Sequence, residues 1–227
     1  ASKTDLLCSG DTNGTVTGVG TGGTGVLVYD LETGAGAAVA NVTGDASGVY
    51  TGLVAGTYRV RVTDVNSCTT VSSNVVIATP TALTASTTDS EYNGDDISCN
   101  GENDGYIEVT AAGGTGNYTF TLGGTSAAVQ TQPGAVYRFN NLVAGAYTID
   151  VADANACTIT TINVTLTEPV LLTASGSVTN LKNGAAVSCF GSSDGEITAV
   201  GSNGSGGYTY VLNEDLGNTT GNAGGVY

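Results

Sequence analysis

The chain has 227 residues, with 5 Lys plus Arg against 20 Asp plus Glu, no His, and a formal net charge of −15. That balance argues against nucleic acid, because phosphate binding needs clustered cations, and against docking on anionic lipid; without His, no Ser-His-Asp triad, Cys-His pair or HExxH zinc site can be built. Gly at 35 with Pro at only 3 excludes collagen and Pro-rich linkers, and no apolar run of about 18 residues is present, so direct membrane insertion as a helix is not expected.

Read from the N-terminus, the first feature is Cys8-Ser9-Gly10-Asp11-Thr12-Asn13-Gly14-Thr15-Val16. The Gly-rich residues 20–25 follow. They read as a turn between strands and not as a phosphate cradle, since neither G-K-[ST] nor a helical period comes after them. Next, Leu53-Val54-Ala55-Gly56-Thr57-Tyr58 opens a strict alternation. Tyr58, Val60 and Val62 point one way; Thr57, Arg59, Arg61 and Thr63 point the other. This predicts a half-buried strand. It runs into Asp64-Val65-Asn66-Ser67-Cys68. Val75 and Ile77 predict another strand before Pro80.

Then the pattern restarts. A Thr-rich stretch (residues 83–86) and Glu91-Tyr92-Asn93-Gly94-Asp95-Asp96 lead to Cys99-Asn100-Gly101-Glu102-Asn103-Asp104-Gly105-Tyr106-Ile107. Strands are expected around Ile107 and Val109, around Tyr118 and Phe120, over Tyr147, Ile149 and Val151, and around Val164 and Leu166. Leu142-Val143-Ala144-Gly145-Ala146-Tyr147 and Asp153-Ala154-Asn155-Ala156-Cys157 repeat the earlier blocks. After Pro169 comes a third copy: residues 172–175, Cys189-Phe190-Gly191-Ser192-Ser193-Asp194-Gly195-Glu196-Ile197, then Ala199, Tyr208 and Tyr210. Val49-Tyr50, Val136-Tyr137 and Val226-Tyr227 also correspond.

The leading cysteines of the copies, at 8, 99 and 189, lie 91 and 90 positions apart. The unit is therefore about 90 residues. Short alternating strands punctuated by Gly, Asn and Asp, without helical periodicity, predict an all-β fold of tandem immunoglobulin-like β-sandwich repeats. Residues 1–79 form a first repeat expected to lack its first strand. Residues 80–168 form a complete second repeat, and residues 169–227 a truncated third. The 227 residues read as a window on a longer array.

The combined pattern C-x-G-x-x-[ND]-G-x-[IV], G-G-T-G, L-V-A-G-x-Y-x-[VI]-x-V-x-D-x-N-x-C and Pro before L-T-A resembles the SprB repeat. This family recurs in very large surface adhesins of Bacteroidota, including gliding-motility adhesins exported by type IX secretion. The resemblance covers the second unit, most of the first and half of the third. It implies an extended, exported filament on the cell surface. The stretch 91–96 before Cys99 is longer than the family's usual approach to that cysteine.

The five cysteines suit an extracellular, oxidising compartment. Two pairings are open. Pairing within units gives Cys8 with Cys68 and Cys99 with Cys157, leaving Cys189. Pairing across the boundary gives Cys68 with Cys99 and Cys157 with Cys189, leaving Cys8. The first is favoured, because modules usually staple themselves. Asp11, Asp64, Glu102, Asp104, Asp153 and Asp194 are hard-oxygen candidates for Ca²⁺; ordinary turn chemistry is the leading alternative. No other cofactor is expected. Asp95-Asp96 and Glu214-Asp215 are adjacent acids of the solvated-loop kind, not a spaced catalytic pair, so no enzyme is expected. Tyr58 and Tyr147, after Gly56 and Gly145, suit a tyrosine corner. Arg59 and Arg61 read as scattered surface charge.

The function these features predict is mechanical: a non-catalytic, disulfide-stapled rod whose partners are neighbouring repeats of its own chain and other copies in a filament. An external surface or polysaccharide would be held by other regions. Two alternatives stand beside it. One is a polymerising pilin or surface-layer subunit completed by strand exchange. The other is a carbohydrate-binding module of a secreted enzyme.

Overall fold

The computed structural model describes residues 1–124, 127–204 and 207–212. The pair Glu214-Asp215 and the echo Val226-Tyr227 lie outside the described residues. Within them the chain is all-β.

The second unit shows the plan in full. Its strands are preceded by seven in the first: β1 (Ser2–Thr4), β2 (Gly14–Thr17), β3 (Val28–Thr33), β4 (Val49–Leu53), β5 (Gly56–Thr63), β6 (Thr69–Val71) and β7 (Val75–Ile77). The second unit then has β8 (Thr84–Asp89), β9 (Gly105–Ala112), β10 (Tyr118–Gly124), β11 (Ala128–Gln132), β12 (Val136–Leu142), β13 (Gly145–Ala152) and β14 (Ile162–Leu166). One sheet has the order β12-β9-β8 and the other β11-β10-β13-β14, all pairs antiparallel. Three strands facing four, in this connection order, is the sandwich arrangement of fibronectin type III and immunoglobulin-like domains.

Alternation builds the core. In β13 every second side chain, Tyr147, Ile149 and Val151, is buried, and in β5 so are Tyr58, Val60 and Val62. In the second unit Ile107, Val109 and Ala111 of β9 meet the β13 side chains from the opposite sheet, and Phe120 and Leu122 of the adjacent strand β10 extend the same buried face. The two units hold separate cores, one around Phe120 and Ile149, the other around Tyr50 and Val60.

The first unit repeats the plan with β1-β2-β4 on one side and β3, β5, β6 and β7 on the other. Two differences follow from its residues. The strand expected to be missing is present: Ser2, Lys3 and Thr4 pair with Thr17, Val16 and Thr15. The residues before Cys8 suffice for one short strand, because this unit has no counterpart of the hairpin that precedes Cys99. Where the second unit has β11, the first has only a bridge between Glu32 and Ala38. The third unit contributes β15 (Thr173–Thr179) and β16 (Glu196–Ser202), an antiparallel pair. Tyr208 and Tyr210 are described outside any strand.

In this connection order the turn after the first strand lies at one end of the sandwich. The turn between the last two long strands lies at the other. The eight residues of β5 or β13 separate these poles by roughly 25 Å at 3.3 Å per residue.

Candidate functional site

The cysteines and the acids considered for calcium gather into two recurring turns, one at each pole. The first is the C-x-G turn. The amide of Asp11 donates to the Cys8 carbonyl, that of Glu102 to Cys99 and that of Ser192 to Cys189. Each is a four-residue turn whose third residue, Gly10, Gly101 or Gly191, has φ of 84°, 82° or 79°. Only glycine takes that conformation without strain, which fixes the C-x-G spacing. The Asn or Asp five residues after the cysteine closes the loop. Asn13 accepts from the amide of Leu7, Asp104 from Ser98 and Asp194 from Ser188. Hydrogen bonds from Ser98 and Ser188 hold the Asp104 and Asp194 carboxyls below the ordinary aspartate value.

The second is the D-x-N-x-C turn at the opposite pole. Asp153 accepts backbone amides from Asn155 and Cys157 on one oxygen and from Thr115 on the other. Asp64 does the same with Asn66, Cys68 and Thr24. The fourth residue has a left-handed backbone, Ser67 at φ 64° and Ala156 at φ 63°. The amides of Cys68 and then Thr24 lower the Asp64 pKa. Asp153 is buried. These carboxylates are turn-closing groups, and they tie the last long hairpin to the Gly-rich loop across from it.

The calcium candidates are therefore divided between poles. Asp11, Glu102, Asp104 and Asp194 stand in C-x-G turns; Asp64 and Asp153 stand in D-x-N-x-C turns. Among the described residues no three His, Cys, Asp or Glu side chains converge as a metal set. Asp96 accepts from the Thr167 amide and hydroxyl, and its counterpart Asp5 from the Ala78 amide. These acids clasp the end of the last strand.

The cysteines correct the favoured pairing. Cys8 is bonded to Cys157, 149 residues away, with Cα atoms 5.6 Å apart, while Cys68, Cys99 and Cys189 are free thiols. Neither Cys8 with Cys68 nor Cys99 with Cys157 forms, because each of those pairs spans opposite poles of one sandwich. The pairing of Cys68 with Cys99, or of Cys157 with Cys189, would join the far poles of adjacent units. What the fold brings together is the C-x-G pole of one unit and the D-x-N-x-C pole of the next. Asn155 adds a hydrogen bond from Nδ2 to the Leu7 carbonyl across this junction. Beside the next junction, Glu168 takes Asn100 Nδ2 and the Gly101 amide within the second unit, and Asn100 Nδ2 also reaches the Pro169 carbonyl across it.

Tyr58 and Tyr147 donate from their hydroxyls to the carbonyls of Val54 and Val143, 3.2 and 2.9 Å away. The Cβ position of Gly56 would lie 3.2 Å from the Tyr58 ring; Gly145 begins β13 beside Tyr147. The arginines differ from expectation. Arg59 and Arg61 both bond Glu32 on the neighbouring strand β3, at 2.7 and 2.6 Å, and Arg61 first, then burial opposing it and Arg59, sets the lowered Glu32 pKa. Strand register, invisible in the sequence, places Glu32 opposite Arg59.

Two stretches, residues 92–126 and 186–217, match the family model described as SprB repeat. Both stretches are similar to that repeat. The match in the second unit begins at Tyr92, so it takes in most of the stretch noted as a departure. That stretch is a tight hairpin. Tyr92 bridges Asp95, with Asn93 and Gly94 at positive φ, and the third unit has the same hairpin at Lys182 and Ala185 with Asn183 and Gly184. No curated protein matches the chain. Among solved structures it is similar to fibronectin(III)-like modules of Clostridium thermocellum CbhA, at 15% identity over 73% of this chain and 90% of that one, with a TM-score of 0.35. The amphioxus IgVJ-C2 molecule gives 13% identity, 69% and 97% coverage and 0.28. A tetra-tandem repeat in the extending region of a large adhesion protein gives 18% identity, 88% and 55% coverage and 0.25.

Proposed function

We propose that this chain is a non-catalytic structural segment of an exported surface adhesin, in which SprB-repeat sandwiches stack pole to pole into a rod. The observation that supports this most is the junction itself. Cys8 and Cys157 lie at facing ends of successive units, and a stack of such contacts extends a chain rather than closing it. Stability in an array of this kind is a sum of units and neighbour interfaces. The net charge of −15 keeps such a rod soluble and away from an acidic envelope. Adhesion to a surface or polysaccharide, and any part in gliding, would rest on other regions of the adhesin. Strand exchange between subunits loses its main support, since β1 is supplied by the first unit itself.

Immunogold electron microscopy tests the reading. Antibody to residues 80–168, applied to intact source cells, is expected to label fibres leaving the cell. Label confined to periplasm or culture fluid would reject it.

A further inference from the structure

The three free cysteines are not spare. Each occupies a position whose counterpart elsewhere in the chain is bonded. Cys99 and Cys189 stand in C-x-G turns like that of Cys8, and Cys68 stands in a D-x-N-x-C turn like that of Cys157. All three thiols are exposed, whereas Cys8 and Cys157 are half-buried by their contact.

The junction between the second and third units shows where a partner for Cys99 would sit. A cavity of about 470 Å³ opens there, lined by Cys99, Asn100, Pro169, Leu172, Gly204 and Tyr208 among others. These residues correspond to the seat occupied at the preceding junction. The amide of Gly114 donates to Thr81, and that of Gly204 to Val170. In the second unit a Cβ on Gly114 would meet the Asp153 side chain at 2.7 Å, so Gly114 lies directly under the D-x-N-x-C turn. Gly204 has the same left-handed backbone, φ 65° against 64°. Leu83 packs against the second core, while its counterpart Leu172 is 59% exposed.

We propose that consecutive repeats are joined in one fixed register, the C-x-G cysteine of each unit bonding the D-x-N-x-C cysteine of the unit that follows. The cavity beside Cys99 is the seat of such a turn, carried by the third unit of the array. Cys189 takes the same turn of a fourth unit, and Cys68 takes the C-x-G cysteine of a unit preceding the first. The inference rests on the array reading above. The bond forms by thiol–disulfide exchange. One cysteine thiolate attacks a small-molecule or oxidoreductase disulfide and expels one donor thiol. The second thiolate then displaces the other, so two protein thiols are oxidised and one donor disulfide is reduced.

Disulfide mapping of the adhesin stripped from source cells, alkylated before proteolysis, tests this directly. Cys8 bonded to Cys157, and Cys99 bonded to a D-x-N-x-C peptide, are expected. Cys99 recovered alkylated, or bonded to Cys68 or Cys189, overturns the proposal, whatever the microscopy shows. Absence from the surface overturns the array reading instead. A second test extends the 227-residue chain with a copy of residues 138–168, refolded with oxidised glutathione. The present chain has three free thiols. The extended chain is expected to show two, and three again when it carries Cys99→Ser. An extended chain that keeps an unpaired Cys99 while the Cys8–Cys157 bond forms overturns the proposal.

Discussion

At the scale of single residues, the repeat is held by polar side chains that satisfy backbone groups at the two poles. The hydroxyl of Tyr147 donates to Val143 from a fully buried ring. Tyr147→Phe keeps the packing and orphans that carbonyl. A loss of about 1 kcal/mol is expected, read as a shifted urea midpoint with unchanged slope. Acid acts on the carboxylates. The folded pKa values of Glu32, Asp64, Asp104 and Asp194 are lowered, against ordinary values of 4.5 and 3.8. A depressed folded value gives stability that is complete above the unfolded pKa and drains as pH falls through the folded one. The melting temperature should therefore hold steady above about pH 5 and fall progressively below about pH 4. A rise on acidification would contradict the assigned hydrogen bonds.

At the scale of elements, alternation made β5, β9, β13 and β14 legible, because one buried and one solvated face leave a period of two. Residues 28–33 and 128–132 carried no such mark. In β11 no side chain is buried, and β3 mixes Asp30 and Glu32 with Leu31. Their strand character comes from pairing with β10 and β5, a tertiary effect. The turn motifs were legible as repeats, but the roles of their Asn and Asp side chains needed the loop geometry. Cysteine pairing was not legible, since spacing does not say which pole a residue occupies. Close approach between linker and loop is likewise hidden. A Cβ on Gly113, at φ 75°, would lie 2.1 Å from the Ala82 carbonyl oxygen. Gly113→Ala is expected to cost about 1–3 kcal/mol, measured by thermal unfolding.

At the scale of the whole molecule, two separate cores meet through a narrow junction. Little apolar surface is needed there if a covalent bond fixes the contact. Reduction, or Cys8→Ser, should therefore leave both sandwiches folded and loosen their relative orientation. Circular dichroism is expected to stay unchanged while small-angle scattering shows a broader distribution of maximum dimensions. Unfolding of either sandwich on reduction would mean that the bond stabilises a unit and not a joint.

The bond from Cys8 to Cys157 encloses the peptide link between the first two units within a covalent ring. A protease that nicks the exposed segment around Thr79 would open that ring without parting the two halves. On gels the cut chain should migrate as one species until it is reduced, and as two fragments afterwards. A surface fibre built this way would tolerate a single nick at such a joint. Only a second break, or loss of the disulfide, would let it come apart.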